Sequence, residues 1–226
     1  MPSDRGADRG RAGRTLAERT LAERAVRRRV SVVEEVAQSD VRALMEAGLA
    51  LMVEASGRRG PRVADIVAAA GLSNDSFYRY FASKDELVEA IVDQGARTVV
   101  GYVRHRIASA RDPERRLRAG VEAIMKQASD TGLAAKTRAV LSNSTAVSPD
   151  APHASVALVE SLAELFAEPA AELGAREPLH AARTVAGAAV AAMQFYLFKA
   201  QVPSDDDLDR LVAFLLAGVK ASADAG

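Results

Sequence analysis

The apolar positions fall at helical spacing along most of the chain. From Val41 to Ala55, residues Leu44, Ala47, Gly48, Leu51, Met52 and Ala55 recur at i, i+3, i+4, i+7, i+8 and i+11, one face of an amphipathic helix. Ser39 or Asp40 stands just ahead as an N-cap. Upstream, Thr15–Ala37 is rich in the helix formers Ala, Glu, Arg and Leu, although Leu16, Leu21 and Ala25 do not align into one stripe. Two helices are therefore predicted, Thr15–Ala37 and Val41–Ala55, followed by the basic loop Ser56-Gly57-Arg58-Arg59-Gly60-Pro61. Residues 1–14 are rich in Gly, Arg and Asp with no apolar period, which reads as disorder. The motif TLAER occurs twice, at 15–19 and 20–24, too few copies for a solenoid.

Two short helical segments come next. Val63–Ala70 gives about two turns, Gly71-Leu72-Ser73 a sharp turn, and Asn74–Phe81 another two turns. Gly71 suits positive φ, Leu72 can plug a core, and Ser73 can cap the second helix. Phe77 and Phe81 are i, i+4 and face inward together, which leaves Asn74, Ser76, Tyr78, Arg79 and Tyr80 for other faces. Ser83 then caps a longer helix from Lys84. In a helix-turn-helix the second helix enters the DNA major groove. Asn and Arg can read adenine and guanine edges there, while Ser, Tyr and Lys donate to phosphate. An ordinary helical hairpin has the same outline. An exposed Tyr78-Arg79-Tyr80 in a chain with only four Tyr favours DNA contact.

The remainder is predicted helical: Lys84–Ala110, a helix from Asp112-Pro113 to about Gly132, Leu133–Thr145, Ala154–Leu173 with a kink at Pro169, Pro178–Ala200, and a last helix capped at Pro203-Ser204-Asp205. In that last helix Leu208, Leu211, Val212, Leu215, Leu216 and Val219 form a stripe that serves either core packing or a dimer face. The apolar run between Arg183 and Lys199 is shorter than the roughly 20 residues of a membrane span.

Composition then narrows the chemistry. Aromatics are 4% and there is no Trp, so the core rests on Ala, Val and Leu, which suits packed helices. There is no Cys, which excludes disulfides, thiolate metal sites and Cys nucleophiles. His105, His153 and His180 lack ligand-like spacing with carboxylates, so neither metal nor cofactor is expected. No GxSxG, P-loop, GxGxxG or HExxH occurs, so catalysis is not expected. The N-terminus has no secretory apolar core, and a cytoplasmic protein is the default.

The formal net charge is zero, and it conceals an asymmetry. Residues 1–30 carry nine Arg against Asp4, Asp8, Glu18 and Glu23, a balance of +5. The chain through Lys84 stands at +4 and the rest at −4. A basic part that meets a polyanion and an acidic part that does not would give this division.

The segment Val63–Leu87 resembles the DNA-binding domain of the tetracycline-repressor (TetR) family of transcriptional regulators. The resemblance rests on Asp65-Ile66, Ala70-Gly71, Ser73, Tyr78, Tyr80-Phe81, Ser83-Lys84 and Leu87, spaced as in the family pattern, and Leu44–Glu54 resembles the family's first helix. It covers about Val41–Val92. Two positions depart from the pattern: Arg62 replaces a capping Thr, and Asp75 replaces a small residue.

The resemblance implies an all-α chain. A basic extension (1–38) would precede a helix-turn-helix domain (39–86) and a helical ligand-binding and dimerisation domain (87–226). It implies a homodimer on a near-palindromic double-stranded operator, acting as a repressor released by a small-molecule effector. A DNA-binding helical protein without an effector, or an all-helical enzyme, are the alternatives.

Carried onto this chain, the DNA contacts would be Asn74, Ser76, Tyr78, Arg79, Tyr80 and Lys84, with Arg58 and Arg59 reaching the backbone from the preceding loop. The last helix's stripe would form the dimer interface. Tyr102, Met125, Phe166, Met193, Phe195 and Tyr196 are candidates to line an effector pocket, with plain core as the alternative for each. The Arg-rich extension is either a minor-groove arm or an inert addition.

Overall fold

The computed structural model describes residues 12–55, 60–147 and 151–224, and within them the side chains of 33–55, 60–143 and 155–222. Among the described residues there are nine α-helices and no strand: α1 Ala12–Glu54, α2 Val63–Ala70, α3 Asn74–Tyr80, α4 Lys84–Ala108, α5 Pro113–Ser129, α6 Thr131–Val147, α7 Ala151–Glu172, α8 Pro178–Lys199 and α9 Asp205–Asp224. The fold is all-α, with the helix-turn-helix at the N-terminal side of a helical body.

The largest departure from the sequence reading lies in α1. The expected break at Ser39–Asp40 does not exist, and one helix of 43 residues runs through it. Ser and Asp cap a helix only where the preceding chain leaves the helical conformation. Here Glu34-Glu35-Val36-Ala37-Gln38 continue the helix, so the N–H groups at 39 and beyond find partners one turn back. The boundary drawn at residue 38 thus falls inside a helix. Residues 1–11, and the loop residues 56–59 with Arg58 and Arg59, lie outside the described residues.

The α2–α3 turn follows the local rules. Gly71 adopts φ 67°, the left-handed region that glycine enters without a Cβ penalty. The amide of Leu72 reaches back to Val67 O at 2.9 Å and closes the helix end. Ser73 Oγ accepts from Ser76 N at 3.1 Å and opens α3. At α4 a reciprocal pair forms: Glu86 N donates to Ser83 Oγ at 3.1 Å, and Ala82 N donates to Glu86 Oε2 at 2.6 Å. Arg62, at the α2 N-cap, makes no side-chain cap bond.

Two clusters of buried side chains result. The first joins Leu44, Ala47 and Met52 of α1 to Ile66, Val67, Phe77, Phe81, Leu87, Val88 and Ile91, and it takes in Ala139 of α6. The second fills the body from α4 to α9 with Ala and Val around a few large side chains, among them Leu117, Ile124, Met125, Leu162 and Phe166. Small residues let these helices approach closely. A Cβ on Gly120 of α5 would stand 2.6 Å from Phe166 Cζ on α7.

Ion pairs tie the periphery of the body. Arg116 binds Glu168 and Glu172 at 2.5 and 2.8 Å, linking α5 to α7, and Arg118 binds Asp209 at 2.6 Å, linking α5 to α9. Both guanidinium pKa values rise, chiefly through the hydrogen bonds to Glu168 and Asp209.

α8 is long and apolar enough to cross a membrane by length and composition. Its Ala182, Val185, Ala186, Ala189 and Met193 are instead buried against the other helices of the body. α7 runs through Pro169 to Glu172, so the proline lies in its last turn.

Candidate nucleic-acid interface and cavity

α3 is anchored by Phe77, which is fully buried and packs on Phe81 with ring centroids 5.7 Å apart. That anchor fixes which side of a two-turn helix faces solvent. Asn74, Asp75, Tyr78 and Arg79 are exposed, and Tyr78 keeps 59% of its surface open while its ring stands edge-on to Phe77. Ser76 is half-buried, with its Oγ 3.0 Å from Ser73 Oγ. Four uncompensated N–H groups and the positive dipole end mark the start of any helix. Here Ser73 satisfies one of them, and exposed Asp75 adds a carboxylate.

Two of the expected contact residues are placed differently. Tyr80 is half-buried against the first core, and its hydroxyl donates to Asp40 Oδ2 of α1 at 3.1 Å. It ties α3 to α1 instead of standing open, while Arg79 lies over its ring at 6.0 Å. Asp40, read from sequence as a cap, is the acceptor that holds it. Lys84 is also half-buried, and its Nζ folds back over Gly60: a Cβ there would lie 3.3 Å from Lys84 Nζ and 3.0 Å from Asn143 Oδ1 of α6. Arg62 is exposed at the start of α2 and is a further cation on this side of the chain.

A cavity of about 1150 Å³ opens where α1, α4, α5, α6, α7 and α8 meet. Of the six pocket candidates, Tyr102 and Met193 line it. Met125 and Phe166 do not, since both are fully buried core residues. Phe195 points away, 55% exposed on the outside of α8. Tyr196 is half-buried between α8 and α9. Its phenol binds Asp207, and its pKa is raised by desolvation and by that carboxylate.

The polar residues of the cavity escaped the sequence reading. Gln127 keeps only 8% of its surface exposed, and its Oε1 accepts from Thr137 Oγ1 at 3.0 Å. Lys126 and Lys136 are exposed and line the cavity as well, which puts them at its mouth; Lys126 Nζ sits 5.6 Å from the Tyr102 ring centroid. The wall contributed by α1 includes Val41, Met45 and Leu49, so the cavity touches the helix that carries Asp40.

The stripe on α9 is real but faces its own bundle. Val212, Leu215 and Val219 are buried in the second core, and Leu208, Leu211 and Leu216 pack partly against it. An amphipathic stripe is satisfied first by the nearest apolar surface, here α5 and α8. The residues left outside are Ala213, Phe214 (76% exposed), Ala217 and Gly218 of α9, beside Phe195 and Phe198 of α8.

Comparison with known proteins agrees with this arrangement. Residues 44–91 match the family model described as bacterial regulatory proteins, tetR family. A Mesorhizobium loti protein assigned to the TetR family of transcriptional regulators superposes with a TM-score of 0.64 at 20% identity, over 82% of this chain and 96% of that one. A transcriptional regulator from a Rhodococcus species gives 0.63 at 18% identity, over 82% and 98%. The FadR regulator of Bacillus subtilis, solved in complex with stearoyl-CoA, gives 0.59 at 14% identity, over 80% and 98%. No match was found among curated proteins. Residues 44–91 thus match the TetR-family model, and the solved regulators named above share the fold of this chain.

Proposed function

We propose that the protein is a dimeric, cytoplasmic repressor that binds a near-palindromic operator and is released from it by a small molecule, with no catalytic step. The observation that carries the DNA-binding part is the anchored α3, whose Asn74, Tyr78 and Arg79 stand open from a buried Phe77. Arg79 and Asn74 suit base edges, and Tyr78 suits phosphate. Tyr80 and Lys84 act on the geometry of α3 and α4 instead of reaching the duplex first. Arg62 adds a phosphate contact at the start of α2.

The outer faces of α8 and α9, with Phe195, Phe198 and Phe214, supply an apolar surface of the kind a two-fold interface uses. In a dimer the two copies of α3 would meet successive major-groove turns roughly 34–36 Å apart. Effector release follows from the cavity wall. A ligand between α4 and α1 would shift Asp40 relative to Tyr80, and so α3 relative to its partner copy. The stearoyl-CoA complex of the Bacillus subtilis regulator supports a small-molecule occupant of a body built this way.

The test is titration of Arg79→Ala against operator DNA recovered by selection from random sequence. The expected loss is about 1–3 kcal/mol of binding free energy, with the melting temperature unchanged. Wild-type affinity in the variant would remove α3 as the reading helix.

A further inference from the structure

The cavity is not evenly polar. On α1 its lining extends from Glu34 to Leu49, about 22 Å at 1.5 Å per residue. Val41, Met45, Leu49, Ile91, Val99 and Leu162 make much of this slot hydrocarbon-like. The charges sit at its edges and divide by wall. The α1 side carries Glu34, Arg42 and Glu46, a balance of −1. The α5–α6 side carries Lys126 and Lys136, a balance of +2, and neither lysine has a carboxylate partner among the described residues.

Between those lysines lies the most buried polar group of the wall. Gln127 and Thr137 are the sequence neighbours of Lys126 and Lys136, and their mutual hydrogen bond ties together the two helices that bring those cations to the cavity wall. The bond uses the Gln127 carbonyl oxygen. Its amide nitrogen has no partner among the described residues, and since no fully buried side-chain polar atom there is left unpartnered, this nitrogen is open to the slot that Gln127 lines. A neutral carboxamide that commits its acceptor leaves two N–H donors, which suit an oxygen-bearing anion.

We propose that the cavity takes an anionic amphiphile. Its acyl chain lies along the slot between α1 and α4, and its charged end is held by Lys126, Lys136 and the amide of Gln127. A free carboxylate and a phosphate-bearing acyl thioester share this chemistry. The inference rests on the effector cavity proposed above and adds the class of ligand.

Calorimetric titration of the full chain with laurate, lauroyl-CoA, dodecanol and dodecyltrimethylammonium tests it. Laurate, lauroyl-CoA or both should bind at least about tenfold more tightly than dodecanol, which carries the same chain without charge. The ammonium should gain nothing over dodecanol. Which of the two anions wins tells the free acid from the thioester. The double variant Lys126→Met, Lys136→Met should bring the anion to the level of dodecanol and leave dodecanol unchanged. Val99→Trp, which fills the slot, should abolish both. Equal affinity for alcohol, acid and ammonium, with Val99→Trp still blocking all three, would overturn the anion assignment and leave the cavity as an effector site. Binding of none of the probes, or binding untouched by Val99→Trp, would overturn both.

Discussion

In the DNA-binding head, Leu44, Met52, Ile66, Phe77, Phe81 and Leu87 hold short helices from one small core. In the body, long helices share a core made mostly of Ala and Val, interrupted by a cavity of about 1150 Å³. The head concentrates its packing in a few large side chains and leaves α3's outward residues free of the core. The body spreads its packing thinly, so a ligand-sized space can persist without any single helix losing its place. Specific shape belongs to the first region and adaptable volume to the second.

Removing the head's anchor is the strongest way to break that contrast. Phe77→Ala should cost about 3–5 kcal/mol. Amide exchange should rise across α2 and α3 while α5 and α8 stay protected, and equal deprotection of both regions would show a single cooperative unit. Gly120→Ala is the counterpart in the body. Its Cβ meets the buried Phe166 ring, so about 1–3 kcal/mol should be lost in denaturant melts, with operator affinity intact at low temperature.

Arg62→Thr sharpens the head in the opposite direction. A hydroxyl at the uncapped α2 start should add about 1 kcal/mol of stability. The loss of a cation should reduce the salt slope of DNA binding by about one.

The smallest effect is expected at Asp207→Asn. Asp207 accepts from Ser204 Oγ at 2.6 Å and Ser204 N at 3.0 Å, and these bonds lower its pKa. A carboxylate depressed in the folded state stabilises above the unfolded value and loses that contribution as pH falls through the folded one. The asparagine variant should therefore show a shallower decline of melting temperature below about pH 4.

The sequence disclosed the head because its signals are local. Gly71, Ser73 and the Phe77–Phe81 pair each act within a few residues, and the fold uses all of them as their spacing predicts. What it concealed was the tie from Tyr80 to Asp40, because the partners lie 40 positions apart and an Asp ahead of an apolar stripe looks like a cap. The body's cavity was harder to read. Whether Met125, Met193 or Gln127 meets core or open space depends on the rotation of Ala-rich helices, which present apolar atoms on several sides. The stripe on α9 was visible, but its partner was not, since Val212 or Leu215 would suit a neighbouring helix of either protomer.

The unbroken first helix has the geometry of a lever arm. From Ala12 to Asp40 it extends roughly 42 Å beyond the point where Tyr80 grips it. If the helix stays straight, a tilt of about 10° at that grip sweeps its far end through about 7 Å, given the same rise per residue. A spin label near the start of the lever would then report a ligand's effect on the head as a displacement several times larger than the motion at α3 itself.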